Sequence, residues 1–366
     1  MNDDRDRKTD LGGIRERIDS IDARIHELIA ERARLAQHVG VTKREEGTVA
    51  FFRPEREAQV LRAVVERNRG PLTDQEMVRL FREIMSACLS QQEPLKVGFL
   101  GPDGTFSHQA VLEHFGHSCR ALPMATLDEV FGAVQSDDAD FGVVPIENSA
   151  AGVVSHTLDL FLGSPLNICG EVHMRIRQHL MGAMERLDEI RRICAHPQSL
   201  AQCRAWLRQH LPDVELEQAS SNAAGARRAR DESGTAAIAP AAAAEIYGLR
   251  VLFDSIEDES DNTTRFLVVG RDLLEPSGAD RTTLLLSGAE TDQSGSLHSL
   301  LEPLARHGVN MTRIESRPSR RRSWHYVFFL DLDGHASDPP VAAALAELEE
   351  RADLFRVLGA YPRAVL

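Results

Sequence analysis

Residues 14–43 read IRERIDSIDARIHELIAERARLAQHVGVTK. Apolar side chains fall at Leu11, Ile14, Ile18, Ile21, Ile25, Leu28, Leu35 and Val39, in steps of three and four around one gap. Neither glycine nor proline interrupts the run from Ile14 to Val39. That spacing lays the apolar residues along one stripe of a long helix, a heptad seam. A helix of about 30 residues is ~45 Å long. Two shorter helices follow: one opens at Arg53-Pro54-Glu55, with proline in its first turn, and the next opens at a capping box of Thr73 and Glu76. One long and two short helices make a thin core. A second copy of the chain is the natural cover for the seam, so an intertwined helical homodimer is expected.

The gap in the seam is Arg32, where a leucine would continue the stripe. A buried arginine is costly unless paired. It either meets an acidic neighbour or points into a pocket built for an anion. Lys43 lies eleven residues on, within ~20° of the same face and ~16 Å along the axis. Two long cations bending together leave room for a small dicarboxylate. Arg15 projects about 100° away from Arg32, so it suits a partner's pocket better than its own.

Outward from this segment the rhythm changes. After Pro94, KVGFLG (96–101) reads as a buried strand, and strand-like runs then alternate with helical ones to about Gly270. Examples are Phe141–Ile146, Arg192–Ala195, Ala236–Ala239 and Phe266–Val269. From Arg281 the order is strand, helix, strand, strand, helix, strand, the split βαβ pattern of ferredoxin-like domains. The expected organisation is multidomain: an all-α region at 1–92, a two-lobed α/β region at 95–272 and a ferredoxin-like α+β region at 280–366.

Composition limits the function. The 366 residues carry 56 acidic and 42 basic side chains, a net charge of −14. This argues against nucleic acid as a partner. SRRRS (319–323) reads as a solvated loop. Five cysteines without a CxxC pair suit a reducing compartment. The charged N-terminus lacks a signal-peptide core, and no apolar run is long enough to span a membrane. A cytoplasmic protein is expected. The fourteen histidines form no HExxH spacing, and neither a metal nor a cofactor is called for.

Three stretches of the central region carry polar groups at strand ends. GPDGTFSHQA (101–110) is either a plain strand-to-helix turn or an anion-binding one. PIENSAAG (145–152) is either a capped strand end or the rim of a cleft. Asn262-Thr263-Thr264-Arg265-Phe266 precedes the strand FLVVG, and by itself could be only a turn.

Residues 14–43, with RPEREAQVL (53–61) and FREIMSACLSQQ (81–92), resemble the all-helical chorismate mutases. The resemblance implies a pericyclic rearrangement of chorismate, a dianion, by clamping and charge stabilisation rather than covalent chemistry. It assigns cationic contacts to Arg32, Arg56 and the partner's Arg15, and donation to the ether oxygen to Lys43 and Gln92. Glu57 would accept from the substrate hydroxyl. Cys88 stands where the family has a serine, and the loop 46–52 lacks an aspartate expected near Arg53. The three central stretches, with HPQSLAQCRAWL (196–207), resemble prephenate dehydratase. That family makes phenylpyruvate from prephenate, and the likeness implies Thr264 as proton donor and Arg265 as a carboxylate holder. Thr105, Ser107, Glu147, Asn148, Ser149 and Gln202 would line the cleft. Residues 302–335, EPLARHGVNMTRIESRPSRRRSWHYVFFLDLDGH, resemble ACT-type regulatory domains. L-Phenylalanine is the implied effector, held by Gly295, Leu297, Glu315, Ser316 and Arg317, with Ser296 where alanine is usual. The competing readings are a catalytically inactive amino-acid sensor and a mutase fused to a dehydrogenase. The second lacks the GxGxxG fingerprint. Arogenate remains an alternative substrate.

Overall fold

The computed structural model describes residues 3–45, 52–288, 294–318 and 326–365, and the side chains of 11–42 within the first segment. The side chain of Lys43, the loop at 46–51 and the SRRRS segment lie outside the described residues. Helix α1 (Asp3–Glu45) is followed by α2 (Pro54–Arg67) and α3 (Asp74–Ser90). Pro54 begins α2 as expected. The capping box on α3 is complete: Thr73 Oγ1 accepts from Glu76 N at 3.2 Å, and Glu76 Oε2 accepts from Thr73 N at 2.9 Å. The seam of α1 is bare within this chain, its eight apolar side chains from Leu11 to Val39 being 44–61% exposed.

The central region begins with β1 (Lys96–Leu100), α4 (Phe106–Phe115), β2 (Arg120–Met124), α5 (Leu127–Gln135), β3 (Phe141–Asn148), β4 (Gly152–Val153), α6 (Ser155–Phe161) and β5 (Asn167–Arg175). The chain then crosses to a second lobe: β6 (His179–Gly182), β7 (Arg192–Ala195), α7 (Pro197–Gln202), α8 (Arg204–His210), β8 (Glu215–Gln218), α9 (Asn222–Asp231), β9 (Thr235–Ala239), α10 (Ala241–Tyr247) and β10 (Arg250–Phe253). It returns to the first lobe through β11 (Thr263–Gly270). The first sheet runs β2-β1-β3-β11-β5 with β4 on β3, and the second runs β10-β6-β9-β7-β8. The two-lobed expectation therefore holds, because β11 enters the first sheet between β3 and β5, antiparallel to both.

The C-terminal region comprises β12 (Asp280–Gly288), α11 (Ser296–Arg306), β13 (Met311–Pro318), β14 (Tyr326–Asp333), α12 (Pro339–Arg351) and β15 (Ala352–Pro362). Its antiparallel sheet runs β13-β14-β12-β15, the ferredoxin-like order. Period-2 alternation gives each face its own core. Leu284, Leu286 and Leu330 pack with Leu300, Leu304, Val341, Leu345 and Leu348 of the two helices. Leu285, Val327, Phe329 and Leu358 join the first lobe's Ile146, Leu158, Phe161 and Ile168. The approach is close enough that a Cβ on Gly359 would lie 2.2 Å from the carbonyl oxygen of Ile168, so β15 accepts no side chain there.

The helical region is docked on both other regions. Arg62 of α2 donates to the carbonyl oxygens of Ser277 and Ala279 at 2.9 and 2.8 Å. Phe52, just before α2, packs its ring 5.6 Å from Phe115 and 5.5 Å from Phe141. Among the described residues no helix is long and apolar enough to cross a membrane.

Candidate active sites

A cavity of about 380 Å3 opens where α1, the start of α2 and the end of α3 meet. Arg32, Arg56, Glu57, Cys88 and Gln92 all line it. The break in the seam is thus the cation that α1 contributes to this cavity, and Arg32 makes no ion pair among the described residues. Arg53 lines it as well, a third guanidinium to which the sequence reading gave no substrate contact. Gln92 Nε2 donates to Ala36 O at 2.6 Å. The amide has a second N–H for a ligand. Gly40 makes room for it, since a Cβ there would lie 2.5 Å from Gln92 Oε1. Burial pushes the Glu57 carboxyl up to about 7, against the opposing pull of Arg82, whose Nε is 3.7 Å away. Arg15 is exposed and lies seventeen residues before Arg32, ~26 Å along the helix, so this chain does not bring it to its own cavity.

The second set of residues meets at the ends of β3 and β11. Thr264 is 8% exposed, and its Oγ1 accepts from Asn148 Nδ2 at 2.8 Å. The same amide donates to Asn262 Oδ1 at 2.7 Å, and Asn148 Oδ1 accepts from the N–H groups of Ala150 and Ala151. Ser149 Oγ accepts from Thr263 N at 3.0 Å. Two of the stretches singled out in the sequence are therefore one hydrogen-bonded unit. Because the Thr264 oxygen is an acceptor in this bond, its own proton remains to be donated.

The turn at 101–105 seats against the second lobe, with Tyr247 Oη donating to Asp103 O at 2.8 Å. Thr105 behaves as a helix cap: its hydroxyl accepts from His108 N and donates to Leu100 O at 3.2 Å. Ser107 is buried in the first turn of α4. Gln202 Oε1 accepts from Gln178 Nε2 at 2.9 Å. Gln178 also reaches Ser199, which accepts from Asn222 as well. This second-lobe cluster escaped sequence reasoning apart from Gln202. In the two crossing segments, Gln178 Oε1 and Asn262 Nδ2 are buried without a partner among the described residues.

Two expected cleft residues are placed elsewhere. Arg265 donates to Glu171 Oε2 at 2.9 Å, Asp331 Oδ2 at 2.5 Å and Tyr361 Oη at 3.0 Å. Glu147 accepts from Arg313 Nε at 3.0 Å. Successive side chains of a strand point to opposite faces. With Thr264 and Asn148 on one face, their neighbours Arg265 and Glu147 must lie on the other, against the C-terminal sheet. Arg281 also pairs with Glu171. Burial opposes ionisation of Glu171, but the His173 hydrogen bond and the two arginines prevail and hold its carboxyl down at about 2.

In the C-terminal region, Gly295 takes φ +87° just before α11, and Leu297 is 38% exposed. The register aligns Leu286, Phe328 and Ser316 in one row. This places Ser316 at the end of the sheet where β12 finishes, at Gly288. Glu315 and Arg317 are half-buried on the face opposite Ser316. Arg317 is not open to a ligand as it stands: it donates to Ser155 Oγ at 2.8 Å and Asp159 Oδ1 at 3.0 Å on α6.

Residues 14–93 match chorismate mutase type II, residues 97–273 match prephenate dehydratase, and residues 282–350 match the ACT domain. The chain is 50% identical over 361 residues to the bifunctional chorismate mutase/prephenate dehydratase of Stutzerimonas stutzeri, covering 97% of this chain and 98% of that one. The chain belongs to the bifunctional chorismate mutase/prephenate dehydratase family. The family's Pseudomonas aeruginosa member is 49% identical with the same coverage. Among solved structures, a prephenate dehydratase from Arthrobacter aurescens in complex with L-Phe superposes with a TM-score of 0.68 at 40% identity. It covers 74% of this chain and 90% of that one. The family assignment matches the architecture: the helical cavity falls in the mutase region, the Thr264–Asn148 unit in the dehydratase region, and the sheet behind it in the ACT region.

Proposed function

We propose that this protein rearranges chorismate to prephenate in the helical cavity and converts prephenate to phenylpyruvate beside Thr264, under feedback inhibition by L-phenylalanine. The observation that carries the reading is the pairing of two assembled sites in one chain of this family: guanidinium groups of Arg32, Arg53 and Arg56 around one cavity, and Thr264 hydrogen-bonded to Asn148.

In the first reaction Arg32 and Arg56 hold the carboxylates, with the bidentate geometry that guanidinium favours. Gln92 and Lys43 donate to the ether oxygen, where negative charge develops. Glu57 accepts from the ring hydroxyl when ionised. No proton is transferred. In the second reaction the C–CO2 bond breaks and its electrons complete the aromatic ring. The ring hydroxyl departs with a proton from Thr264, giving water, carbon dioxide and phenylpyruvate; Thr264 then recovers its proton from solvent. A threonine hydroxyl is a weak acid, so its effect rests on position.

The bare seam of α1 and the distance of Arg15 from its own cavity support a homodimer in which each Arg15 completes the partner's site. Free cysteines at all five positions support a cytoplasmic enzyme. The effector sits at the end of the ACT sheet near Gly295, Leu297 and Ser316, with Glu315 and Arg317 linking it to the dehydratase region. The direct test supplies chorismate to purified protein, without added cofactor, and follows phenylpyruvate with and without phenylalanine. Formation suppressed by phenylalanine is expected. Unchanged chorismate would leave the inactive-sensor reading in its place.

A further inference from the structure

The chorismate cavity has a wall that its own three helices do not supply. Phe115 at the end of α4, with Ser118 and Cys119 from the turn that follows it in the dehydratase region, lines it together with Arg32, Arg56 and Cys88. Several contacts fix this turn in place. Gly116 has φ +73°, and a Cβ on it would lie 2.6 Å from the Cβ of Ser86, so the turn is pressed onto α3. Glu83 of α3 accepts from His117 N at 3.2 Å and meets the His117 ring at 2.7 Å. The Phe52–Phe115 contact ties the residue before Arg53 to the same core.

The hydroxyl groups of this cavity differ in availability. Ser90 donates to Ala87 O at 2.9 Å. Ser86 is 8% exposed and packed against Gly116. Ser118 is half-buried, and its hydroxyl has no hydrogen-bond partner among the described residues. Cys88 also lines the cavity, but it offers only a thiol, a weak donor, at the position where the resemblance to the helical mutases implies a serine. The thiol of Cys119 is turned to Gly116 O at 3.2 Å.

We infer that Ser118 of the dehydratase region donates to a carboxylate oxygen of chorismate, supplying the hydroxyl that position 88 lacks and making the mutase site a composite of two domains. This rests on the mutase reading of the cavity. The dianionic substrate has two carboxylates, and a neutral donor beside the three guanidiniums adds direction without adding charge. The contact is a binding one, so its loss appears in KM rather than kcat.

The test is steady-state kinetics of full-length Ser118→Ala on chorismate and, separately, on supplied prephenate. The expected result is a chorismate KM raised about tenfold, kcat within about twofold, and unchanged turnover of prephenate. Adding Cys88→Ser to that variant should bring the chorismate KM back toward the wild-type value. A chorismate KM within about twofold of wild type, an equal loss of both activities, or failure of Cys88→Ser to rescue would each overturn the assignment. A wild-type enzyme that leaves chorismate untouched but turns over prephenate would instead remove the mutase reading on which it rests.

Discussion

Thr264 and Arg265 are consecutive residues of β11 that serve opposite faces of one sheet. The Thr264 hydroxyl accepts from Asn148 at 2.8 Å, while the Arg265 guanidinium donates to Asp331 of the ACT sheet at 2.5 Å. The same division holds for Asn148 and Glu147 on β3, Glu147 being paired with Arg313. The ACT sheet is therefore tied to the strands that carry the dehydratase residues, one side chain away from them.

Replacing Arg265 by alanine should act first on stability. It would leave Asp331, 3% exposed in its side chain, without its arginine, and take one of two arginines from Glu171, 2% exposed. Breaking a buried pair costs about 3–5 kcal/mol. A marked fall in Tm is expected, measured by calorimetry on the intact enzyme. A Tm within a degree of wild type, with prephenate KM raised instead, would return Arg265 to the cleft.

Arg313 and Arg317 lie four residues apart on one face of β13 and hold dehydratase residues within and beyond the PIENSAAG stretch: Glu147 inside it, Ser155 and Asp159 after it. Arg313→Ala should weaken inhibition by phenylalanine several-fold while leaving uninhibited dehydratase turnover within about threefold of wild type. Inhibition curves on the two proteins check this. An unchanged curve would remove the pair from the route between effector and cleft.

Glu57 ties the mutase to pH. Its carboxyl is held up to about 7 by burial; if it accepts from the substrate hydroxyl as proposed, ionisation strengthens that bond, and mutase kcat/KM should rise as pH increases through about 7. Glu57→Gln should lower kcat/KM and flatten this limb of the profile. The stability sign is opposite. The folded state holds the proton more tightly than the unfolded chain, so the unfolded state gains relative to the folded one as pH rises from about 4.5 to 7. Glu57→Gln should therefore be more stable than wild type at pH 8, by about 1–3 kcal/mol, with the gain shrinking toward pH 5. Denaturant titrations at the two pH values measure it.

Arg15 offers a test of the dimer. If it completes the partner's cavity, Arg15→Ala and Arg32→Ala should each abolish mutase activity alone. Mixing and re-associating them should restore about a quarter, since half the dimers are mixed and half the sites in those are intact. No recovery on mixing would contradict a shared site.

Much of this was legible in the sequence because periodicity reports local structure directly. The seam from Leu11 to Val39 marks α1, Thr73 and Glu76 mark the start of α3, and the order of the last six elements marks the ACT fold. Arg32 betrayed the cavity by interrupting an apolar stripe. The misplacement of Glu147 and Arg265 has a physical cause: β3 and β11 are covered on both faces, so the strands carry no polar-out alternation to say which side is the cleft. A motif such as NTTRF lists neighbours, and alternation sends those neighbours apart. Ser118 left no local signal, because its place in the lining of the same cavity as Arg32 depends on the packing of α3 against the turn after α4.

The most direct measurement of the central claim, two chemistries at two separate sites in one chain, is a chorismate time course with Thr264→Ala near neutral pH. Wild-type consumption of chorismate, accumulation of prephenate and a fall in phenylpyruvate formation of about a hundredfold or more are expected. Phenylpyruvate formed at the wild-type rate would contradict the role given to Thr264, and loss of chorismate consumption in the same variant would contradict the separation of the sites.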